Sequence, residues 1–279
     1  MNMFQGAALF SRLAYNEPFD IWKGISPAHQ EIILKWIEAD TPDELKIQYI
    51  DADPLEDTQL YICKHEASRK IVISFRGTLN ARDALTALNV KLCSVEIDRN
   101  GKWLVGRDQM KIHTGFLKQY LAVRQQLLEF FTKENLCEND EIVITGHSLG
   151  GALASLAALD IFNICKETGA RAQVVTFGAP RVGNHQFVGK FKNVVVPDSS
   201  FRIFKDRDPI PQILMTPHYF HVENGICLDD LGNLRQIKND FKNVLHPFVM
   251  LGTLDSLKFI ADHSTERYID LLCGSTLQP

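Results

Sequence analysis

Several absences narrow the function of this chain before any motif is considered. No stretch of its 279 residues approaches the roughly 18 consecutive apolar residues that a membrane-spanning helix needs. No run of basic residues is interleaved with aromatic ones, and the net charge is −4, so the sequence gives no reason to expect nucleic acid as a partner. Internal repeats and low-complexity tracts are also missing.

The six cysteines have no spacing typical of metal ligands, so we expect no metal site. In a chain of this size, cysteines without such spacing are usually small core residues, and we expect them to stay reduced. They are Cys63, Cys93, Cys137, Cys165, Cys227 and Cys273.

The chain also has no recognisable leader and no linker. No Lys or Arg precedes the short apolar run near the N-terminus, which differs from a secretory signal peptide. We therefore expect a cytoplasmic protein, or one that is exported without a cleavable signal. No stretch is rich enough in Gly, Pro or Ser to separate two domains, which predicts a single domain over residues 1–279.

Predicted strands alternate with predicted helices over about 200 residues. This alternation favours an α/β fold in which a central, mostly parallel sheet is flanked by helices on both faces. The predicted strands cover 59–63, 70–75, 142–144, 173–177 and 201–204, and a hairpin turn is expected near 100–101. An antiparallel hairpin is also expected over 218–237, with strands at 220–222 and 226–228. The predicted helices cover 4–15, 27–38, 79–90, 115–133, 152–159, 184–193 and most of 243–273.

The most informative stretch has the pattern Gly-x-Ser-x-Gly, formed by Gly146, Ser148 and Gly150. A β-branched run at 142–144 precedes it and good helix formers at 152–159 follow it. A serine on a sharp turn between a strand and a helix is a nucleophile elbow, in which the helix N-terminus can stabilise an oxyanion. The plainer interpretation is a glycine-rich connection with an incidental serine, and the flanking strand and helix argue against it.

A nucleophilic serine needs a base and an acid, which follow it along the chain in this architecture. The loop after the strand 201–204 contains two candidate acids, Asp206 and Asp208. Both could instead be ordinary turn aspartates beside prolines. Four histidines come late enough to be the base, and His263 is favoured because it lies in a polar break between two apolar segments. The four are His218, His221, His246 and His263.

Taken together, four stretches resemble the class 3 lipases, the family of the filamentous-fungal triacylglycerol lipases and their bacterial and plant relatives. They are 74–78, 112–116, 145–153 and 176–184. They occur in the family order and, with the C-terminal histidine block, extend from about 45 to 272. The resemblance implies an α/β-hydrolase fold, an esterase activity and no metal or organic cofactor. It is weakest over 82–88, which lacks the tryptophan that the family usually has there.

The resemblance also implies a role for individual residues. Ser148 would be the nucleophile, and Asp208 would be the acid, because Asp208-Pro209-Ile210-Pro211 matches the family loop x-Asp-x-x-Pro. His263 matches the Asp-His-Ser block that carries the family histidine in bacterial and plant members. Backbone N–H groups of two residues would form the oxyanion hole, namely Thr78 and Leu149.

The expected substrate is an acylglycerol or a similar lipid ester. Leu79, Leu85 and Leu88 could line an acyl-binding cleft, or could equally be core contacts of a short surface helix. His147, next to the nucleophile, is assigned to the same substrate site. Expected partners are the ester substrate and, transiently, a membrane or another lipid interface.

Three other functions fit the same sequence. The chain could be a phospholipase A1 that attacks membrane phospholipids, including as a secreted effector. It could transfer the acyl group to an acceptor other than water. It could also be a non-catalytic member of the fold, although such a protein would be expected to lack a triad residue or to carry a bulky residue that blocks the turn.

Overall fold

An eight-stranded sheet forms the centre of the molecule. The computed structural model describes residues 3–18, 20–52, 58–78, 91–98, 101–106, 109–196, 198–212, 218–222, 225–237 and 261–274. Across the sheet, the strands are β1 (Leu45–Asp51), β2 (Gln59–His65), β3 (Lys70–Phe75), β7 (Glu141–His147), β8 (Arg171–Phe177), β9 (Ser200–Lys205), β10 (Gly225–Leu228) and β11 (Leu234–Ile237).

The middle of this sheet is parallel and its edges are antiparallel. Strands β3, β7, β8, β9 and β10 pair in parallel, so their carboxyl ends meet at one edge. Strands β1, β2 and β11 pair antiparallel at the two sides. The apolar residues of β7 are buried on both of its faces, because helices cover the sheet from both sides. The mostly parallel sheet that the sequence predicts is therefore confirmed.

Among the described residues, six named helices cover the two faces of the sheet and create two cores. Helices α1 (Met3–Leu13), α2 (Pro27–Ile37) and α6 (Thr265–Cys273) pack on one face, and α3 (Thr114–Lys133), α4 (Leu149–Thr168) and α5 (His185–Val194) on the other. Helix α4 is long and apolar enough to cross a membrane by composition alone, but 78% of its apolar window is buried inside the protein. It is therefore the central core helix.

A second, three-stranded sheet packs beside α3 and α4. Its order is β5 (Trp103–Val105), β4 (Leu92–Ile97) and β6 (Lys111–His113). Buried Asp160 of α4 accepts hydrogen bonds from Trp103 Nε1 at 3.2 Å and from Arg124 Nε at 2.7 Å. This shared carboxylate connects the small sheet to both helices.

Most predicted elements are confirmed, with shifts of a few residues at their ends. The predicted cap of α2 is correct, because the Ser26 side chain accepts a hydrogen bond from the His29 N–H. Strand β1 was not predicted, although its alternation of apolar and polar residues is typical of a half-exposed strand at the side of a sheet. The prediction of a strand at 220–222 is wrong, because Phe220 forms only an isolated bridge to Gly183. The segments 79–90 and 243–260 lie outside the described residues.

Candidate active site

The predicted nucleophile stands on a strained turn. Ser148 connects β7 to α4 with φ 57° and ψ −127°, a backbone conformation that costs a residue with a side chain about 1–3 kcal/mol. Its N–H donates to the carbonyl of Phe177 in the neighbouring strand at 2.9 Å, which fixes the turn to the sheet. The strain and the strand–turn–helix context are those of a nucleophile elbow.

Two glycines allow this turn to form. A Cβ atom on Gly146 would lie 2.4 Å from the backbone of Gly150, and a Cβ on Gly150 would lie 2.2 Å from the carbonyl oxygen of Phe75. Both distances are shorter than any tolerated contact, so only glycine fits at either position. As a result, the first turn of α4 lies directly against the carboxyl end of β3.

The same corner contains both predicted oxyanion donors. Gly77 lies so close to the elbow that a Cβ on it would be 2.6 Å from the His147 carbonyl oxygen, and Thr78 follows it directly. Leu149 is the first residue of α4, where backbone N–H groups have no acceptor within the helix. Leu149 therefore lies where the helix dipole favours negative charge, and Thr78 follows a residue that packs on the elbow. Their role as an oxyanion hole stays a prediction.

Asp208 and His263 form a buried pair, although 55 residues separate them in sequence. His263 Nδ1 lies 2.9 Å from each carboxylate oxygen of Asp208. Asp208 has no exposed surface and accepts a further hydrogen bond from the Ile210 N–H at 2.9 Å. The alternative acid, Asp206, is exposed at the surface of the same loop. The structure therefore pairs the two residues that the family resemblance selected.

This pairing fixes the proton on the His263 ring. A carboxylate can only accept, so Nδ1 carries a hydrogen, and in the neutral tautomer that results Nε2 keeps its lone pair. Nε2 is buried and, among the residues that the structure describes, has no hydrogen-bond partner. Nε2 is therefore the ring nitrogen that can accept a proton.

Gly178 makes room for the acid–base pair at the end of β8. It has φ +56°, and a Cβ on it would lie 2.7 Å from Asp208 Oδ2 and 3.1 Å from the His263 ring. A residue with a side chain would be strained there and would push the pair apart. In the sequence, this glycine lies within the stretch 176–184 that resembles the family, and no role was predicted for it.

Tyr268 of α6 was not predicted from the sequence. Its hydroxyl donates to Asp208 Oδ2 at 2.7 Å and accepts from the Lys205 N–H at 3.0 Å. Burial, and then the charge of Asp208, raise the pKa of Tyr268 well above its ordinary value, so the hydroxyl stays a donor. In the sequence, the one indication of this role is that Tyr268 lies five residues after His263, on the buried face of a helix.

A buried ion pair holds the segment that carries His263. Lys205, at the end of β9, is 1% exposed, and its Nζ lies 2.8 Å from Oδ1 of Asp262, the residue before His263. Breaking such a pair leaves an uncompensated buried charge, which is costly. The acid strand and the histidine segment are therefore joined at two places, Asp208–His263 and Lys205–Asp262.

The remaining predicted residues lie elsewhere or are not described. Leu79, Leu85 and Leu88 are outside the described residues, and so is His246. His218 is exposed, and His221 hydrogen-bonds the Pro211 carbonyl at 2.6 Å, so neither lies on Asp208. His147 is 3% exposed and both of its ring nitrogens face protein atoms. This placement argues against the predicted substrate contact and puts His147 beneath the site.

A family model described as "Lipase (class 3)" matches residues 72–217, just over half of the chain. The matched region includes the elbow and the candidate acid. The chain belongs to the class 3 lipase family. This membership confirms the resemblance that the four sequence stretches indicated.

The relatives of this class 3 lipase chain match it over only part of their own length. A lipase of Rhizomucor miehei is 28% identical over 240 residues, which covers 80% of this chain and 61% of that protein. The chloroplastic phospholipase A(1) DAD1 of Arabidopsis thaliana is 38% identical over 130 residues, covering 43% of this chain and 28% of that protein. The chain thus spans less than two thirds of the length of these relatives.

Solved structures of the family have the same fold. The crystal structure of a mono- and diacylglycerol lipase from Aspergillus oryzae matches with a TM-score of 0.73 at 20% identity, covering 96% of this chain and 97% of that one. At that level of identity the match establishes the fold alone. The chain has the α/β-hydrolase fold that the resemblance implied.

Proposed function

We propose that this protein is a serine hydrolase that cleaves the carboxylic ester bonds of acylglycerols or similar lipids. The observation that carries the proposal is the buried Asp208–His263 pair, with Nδ1 at 2.9 Å from both carboxylate oxygens, at the same sheet edge as the strained Ser148. Membership of the class 3 lipase family and the names of its relatives support the substrate class.

In the first step, Ser148 Oγ attacks the ester carbonyl carbon while His263 Nε2 accepts the hydroxyl proton. Asp208 keeps the hydrogen of the ring on Nδ1 and stabilises the imidazolium that forms. The carbonyl oxygen becomes an oxyanion, which the N–H groups of Thr78 and Leu149 would bind. Each such donor is worth about 3 kcal/mol to the transition state.

In the second half of the reaction, the C–O bond to the alcohol breaks and His263 returns the proton to the leaving oxygen. The acyl group remains on Ser148 as an ester. A water molecule then attacks this acyl-enzyme, with His263 again accepting the proton, and the fatty acid leaves as Ser148 Oγ is reprotonated. Every proton moves through one ring nitrogen, Nε2.

The proposed partners follow from the substrate. Long-chain acylglycerols are nearly insoluble and collect in droplets and membranes, so a transient contact with a lipid interface is part of the proposal. Leu79, Leu85 and Leu88 remain the candidate acyl-contacting residues from the sequence.

Replacing the nucleophile tests the proposal most directly. We expect Ser148→Ala to lower kcat for release of oleate from triolein or monoolein by about 10⁴-fold or more, because the remaining groups cannot form an acyl-enzyme. Ser155→Ala, which removes a buried hydroxyl from the same helix, is the matched control and should keep its activity. Far-UV circular dichroism checks that both variants are folded.

Two outcomes would contradict the proposal. An unchanged rate in Ser148→Ala would remove the serine from the chemistry. A wild-type protein that hydrolyses no ester and does not react with a fluorophosphonate probe would be a non-catalytic member of the fold.

A second candidate is a phospholipase A1, because the relative that is 38% identical bears that name. The reaction and the residues would be the same, and the substrate pocket would differ. Fatty-acid release from phosphatidylcholine vesicles, measured beside release from triolein emulsions, separates the two. A higher kcat/KM for phosphatidylcholine would replace acylglycerols by phospholipids as the substrate class.

A further inference from the structure

His147 lies directly behind the candidate base, although no step of the reaction above uses it. Its side chain is 3% exposed, and its ring lies 4.5 Å from that of His263, centroid to centroid, with 33° between the planes. Its Nε2 is 2.7 Å from the backbone carbonyl oxygen of His263. This is a direct contact with the main chain of the base.

The partners of the ring fix which nitrogen carries its hydrogen. A carbonyl oxygen can only accept, so Nε2 of His147 is the donor and Nδ1 keeps its lone pair. The Tyr15 hydroxyl, 2.9 Å from Nδ1, therefore donates to it. The Thr265 hydroxyl lies further away, at 3.4 Å. The result is a chain of hydrogen bonds from Tyr15 through His147 to the His263 carbonyl.

Tyr15 also touches the other half of the site. A Cβ on Gly77 would lie 2.1 Å from the Tyr15 hydroxyl oxygen, so the loop that leads to Thr78 packs directly on this hydroxyl. One tyrosine at the end of α1 thus contacts both the predicted oxyanion loop and the ring that holds the base.

We propose that His147 is a positioning residue: its Nε2–H, oriented by the Tyr15 hydroxyl, holds the His263 backbone so that the imidazole stays aligned on Asp208. The inference rests on the proposed function, since it assigns His263 as the base. It adds to that function a role for His147, which takes no part in the proton transfers of the reaction.

The neutral state of His147 is part of this role. A cationic ring 4.5 Å away would oppose the positive charge that His263 gains when it accepts the serine proton. Burial, and then the neighbouring His263, lower the pKa of His147 well below its ordinary value. Asp208 therefore remains the charged group in hydrogen-bond contact with the imidazolium.

Two variants of His147 distinguish a positioning role from a role in packing alone. His147→Phe keeps a ring but removes the donor, and we expect kcat to fall about 10- to 100-fold while KM stays within about twofold. His147→Gln keeps an N–H donor near the Nε2 position, and we expect it to recover most of the lost kcat. All rates are normalised to the folded fraction of each variant.

His65 provides a matched control. It is also 3% exposed and bonds a backbone carbonyl, that of Ile37 at 3.2 Å, but it lies at the opposite edge of the sheet. His65→Phe should lower the melting temperature without changing kcat. If His147→Phe behaves in the same way, with a lower melting temperature and an unchanged kcat, the proposal is wrong.

Nuclear magnetic resonance tests the hydrogen-bond chain without any activity. In ¹⁵N-histidine-labelled wild type at pH 7, the signals that disappear in His147→Gln should show a bare Nδ1 and a protonated Nε2. Tyr15→Phe, which removes the orienting donor, should shift His147 toward the other tautomer. A protonated Nδ1 in wild type would overturn the proposal.

The activity assay and the tautomer measurement test the proposed function and the positioning role of His147 separately. If wild type hydrolyses no ester, the proposed function fails, and the tautomer measurement still decides whether His147 holds the His263 backbone. If wild type is active and the tautomer is the opposite one, only the positioning role fails.

Discussion

The two halves of the candidate triad are held in place by different means. Asp208 and His263 are fixed by side-chain hydrogen bonds, including those from Tyr268 and the Lys205–Asp262 ion pair nearby. Ser148 is fixed by its backbone, through a strained φ and two glycines that allow a strand and a helix to touch.

The difference follows from distance along the chain. The serine needs only its immediate neighbours, so a five-residue pattern specifies it. The acid and the base come from separate segments, so tertiary contacts must bring them together. We therefore expect substitution of the glycines around Ser148 to affect folding most, and substitution of Asp208 to affect chemistry most.

The largest expected effect is that of Asp208→Asn. The amide can donate to His263 Nδ1, which would move the ring hydrogen to Nε2 and remove the free lone pair. We expect kcat to fall about 10⁴-fold while the protein stays folded. Ester-hydrolysis kinetics and circular dichroism measure the two properties. A loss below about tenfold would show that the pair is not needed for the reaction.

Gly150→Ala tests the part of the triad that is fixed by the backbone, the turn at Ser148. The added methyl group would lie 2.2 Å from the Phe75 carbonyl oxygen, so α4 must move away from β3. We expect the free energy of unfolding to fall by about 3 kcal/mol, measured by urea denaturation. Gly189→Ala in α5 is the control, because its methyl group would meet nothing within 4 Å. Equal midpoints for both variants would contradict the steric argument.

The smallest effect is expected for Tyr268→Phe. It removes one of the donors to Asp208 but leaves the bonds from His263 and Ile210. A single hydrogen bond to a charged group is worth about 1.5–3 kcal/mol, so we expect a loss of that size in stability and about a tenfold loss in kcat. A variant with unchanged stability and kcat would mean that the remaining donors suffice to hold the carboxylate.

The features that could be predicted from the sequence depend on residues that lie close together in the chain. The elbow at Ser148, the strands around it and the α/β class depend on patterns within a few residues. Asp208 and His263 were selected from several candidates by a family resemblance, and the observed hydrogen bond agrees with that selection.

The supporting residues could not be predicted in the same way. Tyr268 and Lys205 act through contacts that exist only after distant segments pack together, and each looks like an ordinary helix or strand residue in the sequence. Gly178 is one of 17 glycines, and its importance lies in two side chains that approach it from elsewhere. The role of His147 was misread because its neighbour in sequence is the nucleophile, whereas its contacts in space are the His263 carbonyl and Tyr15.

The position of Tyr15 at the end of the first helix has a practical consequence. The chain just after it is exposed at Glu17, Pro18 and Asp20, whereas Ala7, Ala8 and Leu9 of the helix are completely buried. A single cut by a protease in this connection would leave the first helix bound to the rest of the protein only by non-covalent contacts. The proposed hydrolysis would then depend on the concentration of the released segment, because the two fragments would have to bind each other again.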